Sequence, residues 1–251
     1  MNKSILITGA NGKIGIRIVF YLLKAGYSVV ATFNQRNDKL KKIIKKNNLN
    51  QKKLVLHRYK QDNLENNKSL IDFLNKNKII LGAAINSATI RPMKKGLKDT
   101  LANWEKSVKI NANLNYLFNK SMCEYFKKKG GGKIINIGSI YGVVGPDLNL
   151  YKNENFVLEP DYVYNKFALV GLTKYFASFY GKYKVCVNTI SPGGFEEKQS
   201  NSFKMKYSKK TYVGRMAKYN EINGLINYLI SDESNYLTGQ NIILDGGFTS
   251  N

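Results

Sequence analysis

Tyr162 and Lys166 stand four residues apart at the start of an apolar, helically periodic stretch. On a helix that spacing puts both side chains on one face, one turn apart. A phenol beside an ammonium ion is held more readily as phenolate, because the cation favours the charged form of its neighbour. Such a pair can trade a proton with the oxygen of a carbinol or a carbonyl. In a chain with 17 tyrosines the spacing alone is common, so its meaning depends on what surrounds it.

A second constellation lies near the beginning of the chain. Thr8-Gly9-Ala10-Asn11-Gly12-Lys13-Ile14-Gly15 follows a short apolar run and precedes an amphipathic stretch. A glycine-rich strand-to-helix turn permits positive φ, lets backbone N–H groups approach a ligand, and sets an anion at a helix N-terminus. Gly9, Asn11, Gly12, Lys13, Ile14 and Gly15 are therefore expected to cradle the pyrophosphate of a dinucleotide. A glycine triplet can also be an incidental turn, but its place at the first strand-to-helix junction argues against that. The second strand ends Thr32-Phe33-Asn34-Gln35-Arg36. A site preferring an unphosphorylated adenosine ribose would carry an acid there. Asn34 is a cofactor-binding candidate, and Arg36 and Lys13 instead suit a 2′-phosphate, which favours NADP over NAD. Asp62, after the third strand, is a candidate for the adenine edge and equally a helix N-cap.

Apolar β-branched runs alternate with helical periodicity along the whole chain, the pattern of a parallel sheet flanked by helices. Strands are expected at 4–8, 28–32, 54–57, 81–86, 133–137, 185–190 and 241–244, and helices near 13–25, 37–47, 64–76, 100–128, 161–180 and 219–231. The fold class is then α/β, a Rossmann-type doubly wound parallel sheet of about seven strands with helices on both faces. Residues 1–251 read as one domain, because no repeat, linker or composition break interrupts them. The aperiodic segment 145–160, with Pro146, Asp147, Asn149, Asn153, Glu154, Asn155 and Pro160, reads as a long ordered loop, placed like a lid.

Composition narrows the function classes. No apolar stretch approaches the roughly 20 residues that span a bilayer, and a cytoplasmic enzyme without membrane partners is expected. Cys123 and Cys186 lie in apolar stretches and read as buried free thiols, and His57 is the sole histidine, so no metal site is expected. The net charge of +23 invites a nucleic-acid partner. Lysines scattered in short groups across solvated faces argue against one, and leave an anionic small molecule as the partner such a field would attract.

Thr8-Gly9 with Gly12 and Gly15, then Asn86-Ser87-Ala88, Asn111, Ser139, Tyr162-x-x-x-Lys166 and Pro192-Gly193, resemble in order and spacing the short-chain dehydrogenase/reductase family. The resemblance covers nearly the whole chain and continues through Tyr236-Leu237-Thr238-Gly239-Gln240 and Asp245-Gly246-Gly247. It implies an NAD(P)-dependent oxidoreductase acting on a CH–OH group. Tyr162 would be the general acid/base, Lys166 its cation and a ligand of the nicotinamide ribose, and Ser139 a hydrogen-bond donor to the substrate oxygen. Asn111 would hold a water in a proton relay, with Asn113 as rival and a helix-kink role as the alternative. Asn86, Ser87, Ala88, Pro192 and Gly193 would line the cofactor. The family commonly pairs through its long helices, here 100–128 and 161–180, into homodimers or homotetramers.

Several positions depart from the family pattern. Asn86-Ser87-Ala88-Thr89 stands where Asn-Asn-Ala-Gly is usual, the glycine spacing is that of the extended branch, and Glu197 replaces a threonine expected at the nicotinamide carboxamide. The Ser139 to Tyr162 interval is also longer than usual. With Ser191-Pro192-Gly193-Gly194-Phe195, that insertion resembles members associated with flagellin glycosylation and nonulosonic-acid sugars. A phosphorylated or nucleotide-linked sugar under a polar lid is the expected substrate. The alternatives are a 3-oxoacyl-carrier-protein reductase and a non-catalytic dinucleotide-binding protein of the same fold.

Overall fold

The computed structural model describes residues 3–35, 38–60, 64–154, 156 and 158–250. Seven strands make one sheet: β1 (Ser4–Ile7), β2 (Val29–Phe33), β3 (Leu54–Arg58), β4 (Leu81–Asn86), β5 (Gly132–Ile137), β6 (Val185–Pro192) and β7 (Asn241–Leu244). The helices that alternate with them are α1 (Lys13–Lys24), α2 (Asp38–Lys46), α3 (Leu64–Lys76), α4 (Leu101–Lys128), α5 (Pro160–Tyr180), α6 (Asn201–Ser208) and α7 (Asn223–Ile230). The strand order is β3-β2-β1-β4-β5-β6-β7 and every pairing is parallel. The chain runs outward from β1 to β3, then returns to lay β4 against the other side of β1. Loops leaving the C-terminal ends of β1 and β4 must diverge, and such a switch point is where open α/β sheets bind ligands.

Alternation along the strands builds two apolar layers. Ile5 and Ile7 face Ile18, Leu22, Ile226 and Leu229 of α1 and α7, whereas Leu6 between them faces Phe118, Met122 and Phe126 of α4. Because both faces are covered, the strands read as nearly continuous apolar runs. Cys123 and Cys186 are buried free thiols, and no helix among the described residues is long and apolar enough to cross a membrane.

Three stretches differ from the sequence expectation. Sequence alone does not reveal α6, whose eight residues carry only Phe203 and Tyr207 on the buried face, too short a pattern to show a period. The helix expected over 219–231 divides into a 3₁₀ turn, Tyr219–Ile222, and α7. Segment 145–160 contains a 3₁₀ turn, Leu148–Tyr151, started by Asp147, whose carboxylate accepts the Asn149 N–H at 3.0 Å. Its Leu150 joins Ile140, Tyr141, Phe203, Tyr207, Met216 and Phe248 in a third apolar cluster.

Candidate active site

The glycine turn is shaped by close backbone contacts. Gly9 has φ of +63°, and a Cβ there would lie 2.9 Å from the Ala88 backbone. A side chain at Gly15 would run into the Gly9 carbonyl oxygen. Gly12 caps α1 without a side-chain bond, and the first turn holds no acid, so the leading N–H groups of this 12-residue helix remain open to an anion. Thr8 fastens the turn to the end of β4: its hydroxyl donates to Asn86 Oδ1 at 3.1 Å and accepts from the N–H groups of Ser87 and Ala88 at 3.2 and 3.3 Å. Asn86 then points inward, its amide donating to Asn115 Oδ1 and Asn136 Oδ1 at 3.1 and 3.3 Å.

In front of this turn lies a crevice of about 650 Å³. The turn contributes Gly9, Asn11, Gly12, Lys13 and Ile14, the end of β4 contributes Ser87 and Ala88, and the end of β2 contributes Thr32, Phe33 and Asn34. Tyr59 and Lys60 close the β3 side, and Tyr162 and Lys166 close the other. Asn11 is also structural, its Oδ1 accepting the Leu40 N–H at 2.9 Å. The open helix terminus and the glycine surface fit a dinucleotide. No Asp or Glu occurs among the described lining residues. Gly15 and Asn86 lie behind the crevice wall rather than on it, and Arg36 and Asp62 lie outside the described residues.

Tyr162 sits in the first turn of α5, and Lys166 one turn further on, with its Nζ 5.5 Å from the Tyr162 ring centroid. Lys166 donates to the Ile137 carbonyl at 2.7 Å. Burial first, and then the Arg91 guanidinium, push the Lys166 ammonium down to about 8. Ser139 lies at the end of β5 with its Oγ accepting the Tyr141 N–H at 3.2 Å. The side chain of Asn111 is fully engaged: Oδ1 accepts from Ile90 N at 3.0 Å and Thr89 Oγ1 at 3.2 Å, and Nδ2 donates to Ile90 O at 3.0 Å and Ser107 Oγ at 3.1 Å. It ties α4 to the loop after β4 and does not line the crevice.

A second cavity of about 290 Å³ meets the crevice at Tyr162. Ser139 and Tyr141 come to it from the end of β5, Pro192 and Gly193 from the end of β6, and Tyr207 from α6. Segment 145–160 adds Tyr151, Phe156 and Leu158. The Tyr141 and Tyr151 hydroxyls are 2.7 Å apart, and Tyr207 Oη accepts the Gly194 N–H at 2.5 Å. Burial pushes Tyr141 and Tyr207 well up and Tyr151 up to about 12, so all three keep their protons at neutral pH. The wall is aromatic, which corrects the expectation of a polar lid. Two of the segment's polar residues are spent elsewhere, Asp147 on Lys210 at 2.9 Å and Glu154 on Ser200 Oγ at 2.6 Å.

Glu197, the departure from the family threonine, pairs with Lys13 and accepts from Tyr219 Oη at 2.7 Å. Partial burial opposes its ionisation, yet the Lys13 and Tyr219 bonds hold the carboxyl below its usual range. Tyr219 is stacked between Phe195, with ring centroids 4.5 Å apart, and the Arg17 guanidinium, 3.7 Å away. The loop after β6 is thereby tied to the first turn of α1. Sequence reasoning missed Arg91, Tyr141, Tyr151, Phe203 and Tyr207 as site residues. The unusual density of tyrosines hinted at the three tyrosines, and no sequence signal pointed to Arg91 or Phe203.

A parallel doubly wound sheet with a glycine turn at its switch point, facing a Tyr–Lys pair, defines a dinucleotide-dependent oxidoreductase class. Residues 9–249 match the family profile described as enoyl-(acyl carrier protein) reductase, and the chain belongs to the short-chain dehydrogenase/reductase family of NAD(P)-dependent oxidoreductases. It is 28% identical over 255 residues to the post-translational flagellin modification protein A of Campylobacter coli, spanning 98% of each chain. It is 35% identical over 147 residues to the trans-4-hydroxycyclohexanecarboxylate dehydrogenase of Sinomonas cyclohexanicum, a match covering 59% of this chain and 52% of that one. The crystal structure of a short chain dehydrogenase from Leptospira borgpetersenii with bound NAD+ superposes with a TM-score of 0.86 at 30% identity, covering 99% of this chain and 93% of the other.

Proposed function

We propose that this oxidoreductase interconverts a ring secondary alcohol and its ketone on an anionic, sugar-like substrate. The observation that carries the proposal is the position of Tyr162, on the seam between the glycine crevice and the aromatic cavity. Bound in the crevice, the nicotinamide cofactor supplies or accepts the hydride. Tyr162 gives a proton to the carbonyl oxygen in reduction and takes one from the carbinol in oxidation. Lys166 holds positive charge beside that phenol, and Ser139 donates to the reacting oxygen. Gly9, Gly12, Lys13, Ser87 and Ala88 would hold the dinucleotide, with Pro192 and Gly193 at its nicotinamide end. The absence of a carboxylate among the described crevice residues favours NADP(H). Segment 145–160 acts as the lid of the second cavity, and its aromatic rings and neutral tyrosine hydroxyls suit the apolar faces and hydroxyl groups of a sugar ring.

The relatives' names support the substrate class: one modifies flagellin, and the other oxidises a ring alcohol bearing a carboxylate. Purified protein tested with both cofactors against phosphorylated and nucleotide-linked sugars is expected to show turnover. Activity restricted to apolar ketones would overturn this reading. The acyl-carrier-protein chemistry in the family description favours a second reading, a carrier-linked 3-oxoacyl reductase, which a β-ketoacyl thioester assay separates from the first.

A further inference from the structure

We propose that Arg91 is a specificity-determining residue that binds a carboxylate or phosphate of the substrate close to the reacting carbon. The proposal rests on the hydride-transfer reading above, and adds to it where the substrate's charge must lie.

Arg91 lines both the crevice and the second cavity, and its guanidinium carbon stands 4.6 Å from the centroid of the Tyr162 ring. Among the described residues three cations border the seam, and two are already engaged. Lys13 is paired with Glu197, and Lys166 donates to Ile137 O. Arg91 is solvent-exposed, and none of the ion pairs or side-chain hydrogen bonds found among the described residues involves it. A guanidinium presents a planar fork of donors matched to carboxylate and phosphate, so an open one over a reacting phenol is a receptor for an oxyanion.

Its backbone is held firmly for that task. Ile90, the preceding residue, is clamped through both its N–H and its C=O by the Asn111 side chain, and Pro92 restricts Arg91 to extended conformations. The position also has an electrostatic consequence. Arg91 and Lys166 repel one another, and Arg91 contributes to the lowered Lys166 value. Burial is the larger cause of that lowering; an anion on Arg91 would offset the repulsion part and favour the charged form of Lys166 further. A neutral alcohol lacks this effect.

Two readouts test the proposal. Calorimetry of the NADPH-saturated protein is expected to show binding of cyclohexanecarboxylate or of inorganic phosphate, and the stronger of the two identifies the anion. Arg91→Gln should weaken that binding at least about tenfold, Arg91→Lys should restore part of it, and Tyr162→Phe should keep it. The second readout compares KM for 4-oxocyclohexanecarboxylate with KM for its neutral amide. Arg91→Gln should change their ratio by at least about tenfold toward the amide, with circular dichroism and Tm confirming the fold. If neither anion binds the parent protein, or if binding and the KM ratio are the same in Arg91→Gln, the proposal is overturned. Anion binding through Arg91 in a protein that turns over no alcohol or ketone would instead overturn the proposed reaction and leave the Arg91 site standing.

Discussion

The glycine crevice and the aromatic cavity share Tyr162 but are made from different materials. The crevice is a backbone surface: Gly9 in the left-handed region, Gly15 with no room for a side chain, and the open N-terminus of α1. Its residues come largely from short contiguous stretches at strand ends, 8–14, 32–34 and 87–91. The cavity is a side-chain surface, assembled from segments near 139–141, 151–158, 192–199, 203–207 and 216–219. A backbone cradle recognises what every dinucleotide has in common. A side-chain cavity can be altered one residue at a time without disturbing that cradle, and this is how one fold serves many substrates.

The largest effect is expected at the seam itself. Tyr162→Phe removes the proposed proton donor and nothing bulky, and should lower kcat by roughly 10²–10⁴-fold while cofactor affinity, measured by fluorescence titration, is retained. A comparable loss of cofactor affinity would mean that the two regions are not separable there. On the crevice side, Gly9→Ala puts a Cβ against the Ala88 backbone at positive φ. It should cost at least about 1–2 kcal/mol of stability and weaken cofactor binding, as read by denaturant melts and titration. Equal stability and affinity would show that the cradle tolerates side chains.

Lys166 gives a pH test. Its folded-state value of about 8 lies below that of an unfolded lysine, so the unfolded chain binds the extra proton between about pH 8 and 10.5. The sign follows: stability rises with pH across that window relative to Lys166→Met, and below it the buried charge is a cost. Denaturant melts of both proteins at pH 7 and pH 10 measure the difference, and parallel curves would contradict it. The smallest effect is expected in the cavity. Tyr151→Phe deletes a hydroxyl paired with Tyr141 at 2.7 Å and should cost about 1 kcal/mol of stability. It should shift KM for a hydroxylated substrate while leaving cofactor affinity unchanged.

Much of the fold was legible in the sequence. β4 and β7 have the bounds expected, and the other strands differ by a residue or two at their ends. Helix α6 was not legible because eight residues with two inward aromatics lack a detectable period. Tyr162, Lys166 and Gly12 were expected at one site and lie around one crevice, whereas Asn86, Gly15 and Asn111 sit behind its wall. Each of those three carries a backbone or buried-amide contact to a partner distant in sequence or a turn away, and a one-dimensional pattern does not reveal such contacts.

The sequence by itself determined the parallel α/β order, the glycine turn that opens α1 and the Tyr–Lys pair. Each depends on spacing within a few residues, where the periods of helix and strand act directly. Only the tertiary structure decided that segment 145–160 turns aromatic rather than polar groups inward, that Glu197 reaches across to Lys13, and that Arg91 comes to rest over the Tyr162 ring. Those contacts join positions tens to nearly two hundred residues apart, and it is the packing of loops at the C-terminal edge of the sheet that brings them together.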